Sequence, residues 1–460
     1  MTPEVCGNNI FLTGGTGFVG DEIIRRLCTD TSAHLWVLSR ASKGASAADR
    51  ILSRLDPAFH ERITILEGDL SQPVLGLEKN PAQAELFRQL LDCCDEVIHN
   101  GADLSFRTDD ESRARVMNSN VGGTRRLLEL VGRFRNPLKA FNFTSTAYVH
   151  GKWSGDVFLE NDCPNAWQNP YEESKWLSEL LVVESGLPFR VFRPSVIVKE
   201  PEATTTSGDG IYMIADSLSL GCQLFRQRAP DVDLALEIMA APHAAQNFVL
   251  RRDVVDMIMK LRALPGTMNQ RFNIVSPRNT TLVHMWDALA ECLGFTYRLV
   301  DALVTQDPVS HMFKRRVVPS YGGYIFHACP ALDQTNVRAA LGDDYVDKQL
   351  TTIDAEWMKI LFKDYFSEVL HEQAPPARPR ADASQRPDEP AESVAVPIEA
   401  EAPLKAPGWE TVVRVRFLGV EPTIHGGLVH LWRVRHYAKH DGPQEAEAAD
   451  SSQAEGSNQA

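Results

Sequence analysis

Short apolar runs recur along the first two hundred residues, separated by stretches whose apolar residues fall three and four apart. A run of four to six apolar residues bounded by turn formers reads as a buried strand, and three-to-four spacing reads as a helix with one apolar face. Strands are predicted at Ile10 to Thr13, Leu35 to Ser39, Ile63 to Glu67, Glu96 to His99, Ala140 to Thr144 and Arg190 to Phe192. Helices are predicted at Asp21 to Leu27, Ala82 to Asp92, Ser119 to Gly132 and Tyr171 to Glu184. Regular alternation of this kind predicts an α/β fold, a doubly wound parallel sheet.

From about Pro194 the rhythm breaks into a Thr, Ser and Gly loop at Thr204 to Gly210, then a helical stretch with no prompt strand after it. A smaller C-terminal substrate lobe is therefore predicted over 201–371, partly interleaved with the sheet. Arg252 to Leu264 and Val283 to Leu293 read as helices, and Phe272 to Val275 as a strand, so part of 245–290 is expected to return to the main domain of 8–200. Residues 372–409 shift to Pro, Ala and Glu with few apolar side chains, which predicts a disordered linker. Beyond it, Thr411 to Leu418 and Leu428 to His436 flank a Gly426-Gly427 turn, a small hairpin-like segment within 410–440, and 441–460 is an acidic tail.

Composition narrows the class. The chain has 460 residues, 43% hydrophobic and 23% charged, with a formal net charge of −14. That charge disfavours nucleic acid as a partner, because a phosphate backbone selects basic surfaces. Eight cysteines show neither C-x-x-C nor a Cys/His ligand pattern, so no metal site is expected, and a reducing, cytoplasmic setting fits them. Met1 to Gly7 lack the basic and apolar parts of a secretory leader, and no apolar run is long enough for a membrane span.

Candidate chemistry begins at the first turn. Thr13, Gly14, Thr16, Gly17, Phe18, Val19 and Gly20 form G-x-x-G-x-x-G between a strand and a helix, the context that a dinucleotide pyrophosphate needs. Gly14 permits the tight turn, Gly17 a close backbone approach, and Gly20 close helix packing, with the phosphates at the helix N-terminus. The first domain is thus expected to be a Rossmann domain. Arg40 lies 20 positions after Gly20, at the end of the second strand, where an acidic residue would bind the ribose 2′-hydroxyl of NAD. A guanidinium there suits a 2′-phosphate, which favours NADP(H) over NAD(H). Asp69 and Leu70 end the third strand beside the expected adenine, and Asn100, Gly101 and Ala102 let the backbone after the fourth strand pass close to the cofactor.

Tyr171 and Lys175 are spaced i,i+4 behind Asn169 and Pro170, a capped helix start, and so share a helix face. An ammonium beside a phenol stabilises the phenolate, which makes Tyr171 a candidate general acid and base. An exposed Tyr/Lys pair gives the same spacing. What favours chemistry is position, since the helix follows a strand ending Thr144-Ser145-Thr146 at the same sheet edge.

Together these residues resemble the extended short-chain dehydrogenase/reductases. In that family a catalytic hydroxyl precedes the tyrosine by 25 positions, which points to Thr146, with Ser145 as the fallback. Asn120 matches the family's helix asparagine that helps order the lysine and a proton-relay water. Gly68 to Leu77, Val97 to Ala102 and Ser145 to Val149 resemble, more narrowly, the thioester reductase and fatty acyl-CoA reductase branch, the male-sterility domain. Gly101 stands where that branch usually has Ala.

The resemblance implies a catalytic set of Thr146, Tyr171, Lys175 and Asn120, with Tyr171 and Lys175 also touching cofactor, and NADPH-dependent reduction of an acyl thioester, on coenzyme A or a carrier protein, to aldehyde or alcohol. Two other readings remain: an epimerase, dehydratase or hydroxyl dehydrogenase acting on a sugar nucleotide, hydroxyacyl or sterol-like substrate, and a non-catalytic dinucleotide-binding scaffold whose C-terminal segment recruits a protein partner.

Overall fold

The structure, a computed structural model, describes residues 8–373 apart from 43, 165 and 202–209. The linker, hairpin-like segment and acidic tail expected beyond 373 lie outside the described residues.

Seven strands form the central sheet: β1 (Asn9–Thr13), β2 (His34–Ser39), β3 (Ile63–Glu67), β4 (Glu96–His99), β5 (Ala140–Thr144), β6 (Phe189–Pro194) and β7 (Gln270–Ile274). All pair in parallel, in the order β7-β6-β5-β4-β1-β2-β3. Strand order reverses between β1 and β4, and a ligand crevice opens outside the carboxyl ends of strands at such a switch point. The expected Phe272 to Val275 strand is β7, which pairs with β6 from Gln270 to Ile274, so the chain does return to the sheet after leaving it.

Helices cover both faces. On one, Ile23, Ile24 and Leu27 of α1 (Phe18–Asp30) pack with β1, β2 and Val254, Ile258 and Leu261 of a later helix, Arg251–Ala263. On the other lie Leu127, Leu130 and Val131, packed with Phe141 and Phe143 of β5. Here the structure corrects an expectation. The helix predicted from Ser119 begins nine residues earlier, as α2 (Asp110–Met117), passes through one π turn at Asn118–Gly122 and continues as α3 (Gly123–Val131). Asp109 caps it through Ser112 N–H at 3.0 Å. Only Ser112 and Val116 of α2 are buried, too sparse a stripe to show as periodicity.

The helix with the Tyr/Lys pair is α4 (Pro170–Glu184), capped as expected by Asn169, whose side chain accepts from Glu172 N–H at 3.1 Å. A third core gathers the lobe: Ile214, Ala215 and Leu218 of α5 (Ile211–Arg228), Met285, Trp286 and Leu289 of α6 (Leu282–Leu293), and Met358, Leu361 and Phe362 of the helix Ala355–Gln373. A further lobe helix, α7 (Val318–Ile325), brings Tyr321 and Tyr324 back towards the sheet edge.

Candidate active site

One cavity of about 410 Å³ runs along the carboxyl edge of the sheet. Its lining joins Thr13, Gly14, Thr16, Gly17, Phe18, Val19, Arg40, Asp69, Leu70, Asn100, Gly101 and Ala102 at one end to Thr146, Tyr171 and Lys175 in the middle. All but two of the residues singled out in the sequence therefore meet on one surface. The exceptions are Gly20, which packs beneath the turn, and Asn120, which stands behind the wall.

The glycine turn is built by contact as well as by backbone freedom. Gly14 has φ +78°, and a Cβ there would lie 2.6 Å from the Asn100 carbonyl carbon, so β1 and β4 approach too closely for any side chain. A Cβ on Gly20 would sit 2.1 Å from the Gly14 carbonyl oxygen. Gly17 N–H donates to Gly14 O at 3.0 Å, and no side chain caps α1. The first amides of α1 thus stay available for an anion. The dinucleotide pyrophosphate fits a cradle of this kind.

Behind the turn, a buried chain of hydrogen bonds fixes the protonation of His99. Gly101 N–H donates to Thr13 Oγ1 at 3.2 Å, and Thr124 Oγ1 donates to Asn120 O at 2.8 Å. Thr124, its proton spent, accepts from His99 Nε2 at 3.0 Å, which leaves Nδ1 to accept from Thr13 Oγ1 at 2.7 Å. Burial first, then the charge on Lys175, pushes His99 down to about 3, so the ring is a neutral strut.

At the adenine end, Asp69 is less free than the sequence suggested. Its carboxylate accepts Ser71 N–H at 2.8 Å and faces Arg40 at 3.4 Å. Burial raises its pKa, but the Ser71 hydrogen bonds and the Arg40 charge outweigh this and hold it below the usual carboxylate value. The Gly68 to Leu77 stretch folds back on itself: Asp69 N–H donates to Leu75 O at 2.8 Å, through Val74 and Leu75 at φ +50° and +55°. Leu70 then packs on Gly101, where a Cβ would lie 2.8 Å from Leu70 Cδ1, a contact that a small shift of the leucine side chain relieves. Arg50, not singled out in the sequence, also lines this end and donates to the Arg40 carbonyl at 2.7 Å.

In the middle of the cavity Lys175 is buried, donates to Thr144 O at 2.5 Å, and lies 4.4 Å from the Phe143 ring centroid. Burial pushes it down to about 7, against the upward pull of Glu179. Ser145 Oγ donates to Glu179 Oε2 at 3.0 Å, which engages that hydroxyl, whereas Thr146 Oγ1 accepts Tyr148 N–H at 3.2 Å and commits its own proton only to a long 3.3 Å bond to Pro194 O. Of the two hydroxyls, Thr146 is the one able to turn to a ligand. Tyr171 stacks tilted against Phe106 at 5.4 Å.

Asn120 reaches the site through its neighbours. Its side chain accepts Asp103 N–H at 2.7 Å and donates to Asp103 O at 3.0 Å and Ser174 Oγ at 2.8 Å. The amide is spent on tying the loop after β4 to α4, so Asn120 positions the site without facing it.

The far end of the cavity is apolar, with Ile211, Ile214, Phe248, Leu282, Met285 and Ile325. Among the described residues, the charged side chains that line the cavity are Arg40, Arg50, Asp69 and Lys175, all on the dinucleotide side or at its centre. No described group of His, Cys, Asp and Glu could hold a metal ion, and no described helix is long and apolar enough to cross a membrane.

Comparison with known proteins agrees with this geometry. Fatty acyl-CoA reductase wat of Drosophila melanogaster is 29% identical over 361 residues, 64% of this chain and 68% of that protein. Isonitrile lipopeptide synthase of Streptomyces coeruleorubidus is 33% identical over 221 residues, of which this chain spans only 14% of the synthase. Among solved structures, the terminal R domain of the myxalamid PKS-NRPS biosynthetic pathway shares the fold, with TM-score 0.61 at 24% identity, covering 81% of this chain and 92% of that one. The family profile described as male sterility protein, an NAD-binding family, matches residues 12–247, just over half of the chain. With the glycine cradle, Thr146, Tyr171 and Lys175 on one cavity wall, the chain belongs to the male sterility protein family, an oxidoreductase branch of the extended short-chain dehydrogenase/reductases.

Proposed function

We propose that this protein reduces an acyl thioester, carried on coenzyme A or a carrier protein, with NADPH as hydride donor. The observation that carries the reading is the single cavity that joins a dinucleotide cradle, through Thr146, Tyr171 and Lys175, to an apolar end suited to an acyl chain. When bound, a reduced nicotinamide would supply hydride to the thioester carbonyl carbon, with the glycine turn and Lys175 among the residues that would hold it. Thr146 Oγ1 turns its proton from Pro194 O to the carbonyl oxygen, and Tyr171 donates its phenolic proton to that oxygen as charge develops. The product of this step is a hemithioacetal. Tyr171, left as phenolate beside the Lys175 ammonium, takes the hydroxyl proton back, the C–S bond breaks, and aldehyde and thiolate leave, the thiolate taking its proton from solvent water. Asn120 contributes by holding the loop and α4 in register.

Apolar lining at the substrate end favours this over a sugar nucleotide, whose hydroxyls and phosphates need polar and basic partners there. Purified protein offered NADPH and acyl-CoA or acyl-pantetheine is expected to oxidise NADPH with release of thiol and aldehyde or alcohol. Thioester-independent alcohol oxidation as the only activity would overturn the proposal.

A preference for NADPH would rest on Arg40 and Arg50, two guanidiniums lining the cavity near the end of β2 that would hold a ribose 2′-phosphate. Hydrogen bonds to charged groups contribute about 1.5–3 kcal/mol each. Arg40→Ala with Arg50→Ala is therefore expected to raise KM for NADPH by roughly 100-fold or more and to leave KM for NADH within a factor of about three. Equal losses with both cofactors would remove the assignment.

A further inference from the structure

We propose that Tyr324 and Glu172 form a clamp that fixes the lobe helix α7 on the first turn of α4 and so positions Tyr171. The role of Tyr171 rests on the function proposed above; the clamp itself rests on contacts between two segments 152 residues apart.

Tyr324 Oη donates to Glu172 Oε1 at 2.5 Å and accepts from Asn169 Nδ2 at 2.6 Å. Glu172 Oε2 accepts Gln168 N–H at 2.7 Å, and Asn169 Oδ1 accepts Glu172 N–H at 3.1 Å. One phenol thereby grips both the capping residue of α4 and the residue next to Tyr171. The segments touch closely, since a Cβ on Gly323 would lie 2.6 Å from Gln168 Oε1. Tyr324 also reaches the opposite wall: its carbonyl accepts Gln246 Nε2 at 2.7 Å, and Gln246 Oε1 accepts Tyr148 Oη at 2.8 Å, two residues after Thr146. Phe106 fills the space between, 5.4 Å from the Tyr171 ring and 5.5 Å from the Tyr324 ring.

Packing alone does not need the hydroxyl or the carboxyl. A phenylalanine would fill the same volume, and a wholly buried carboxyl is costly unless bonded. Burial raises Glu172 to about 7, while the Tyr324 and Gln168 hydrogen bonds oppose it, in keeping with a group held for its contacts. Proton transfer from Tyr171 depends on placement within a fraction of an ångström, and the clamp sets the tilt of the turn that carries it.

The test compares Tyr324→Phe, Glu172→Gln and the double variant by steady-state kinetics, NADPH binding and hydrogen–deuterium exchange. Tyr324→Phe is expected to lower kcat about tenfold, since misplacement of this order costs up to about 100-fold, with NADPH Kd unchanged. The double variant should match it within about twofold, because the Glu172 change acts on a contact that Tyr324→Phe has already removed. Exchange should rise together in 318–325 and 169–173. Wild-type kcat in Tyr324→Phe, multiplying losses in the double variant, or unchanged exchange at either segment would overturn the clamp. If Tyr324→Phe does not fold, Glu172→Gln alone carries the same comparison. A wild-type protein inactive on thioesters would defeat the functional reading, while exchange at the two segments would still decide the clamp.

Discussion

Tyr171→Phe is expected to lower kcat for thioester reduction by about 1,000-fold, within the 100- to 10,000-fold range of a positioned general acid. The change removes one oxygen and leaves the ring. The ring keeps its 5.4 Å packing on Phe106, and the cap of α4 is supplied by Asn169, so fold and cofactor site should persist. NADPH affinity is expected to stay within a few-fold of wild type, because the pyrophosphate cradle and the Arg40–Arg50 corner lie at the other end of the cavity. The measurement is single-turnover NADPH oxidation alongside a binding titration and a thermal melt. A variant retaining a tenth of wild-type kcat would mean that the carbonyl oxygen takes its proton elsewhere, with Thr146 the next candidate.

That prediction was reachable from sequence because every part of it is local. Gly14, Gly17 and Gly20 lie within one strand-to-helix turn, and Tyr171 and Lys175 within one helical turn. Strands buried on both faces of a parallel sheet read as unbroken apolar runs, and β3, β4 and β5 fall where those runs placed them. The π turn at Asn118–Gly122 was not legible, since α2 buries only two of its side chains.

Residues that support the site from a distance left no such mark. Arg50 reaches the Arg40 carbonyl by way of a short helix, and nothing in its neighbours distinguishes it from a solvated arginine. Tyr324 meets Glu172 only because the lobe folds back over the sheet edge. Asn120 was legible as a site residue but not in its task, since its partner Asp103 belongs to a loop without periodicity. Arg226 bonds the Leu293 and Gly294 carbonyls and Arg251 the Glu200 carboxylate, contacts that no local pattern announces.

Glu179 is the largest case of this kind, and its replacement should show in stability and catalysis together. Its carboxylate is fully buried one helical turn beyond Lys175, bonded to Arg193 at 2.5 Å, Arg271 at 2.5 Å and Ser145 at 3.0 Å. Arg193 is itself fully buried. Glu179→Gln conserves volume but removes the one negative charge that serves both guanidiniums, and breaking a buried pair from one side costs about 3–5 kcal/mol. Denaturant unfolding is expected to show a loss of that size. The same charge draws the Lys175 pKa upward against burial, so without it the ammonium loses its proton at lower pH than the present value of about 7. The proposed mechanism uses Lys175 as an ammonium, and the descending limb of the kcat profile is therefore expected to move to lower pH in Glu179→Gln. A variant with wild-type stability would show that Arg193 and Arg271 find other counter-charges. One destabilised but with an unmoved pH limb would show that Glu179 supports the fold and not the lysine.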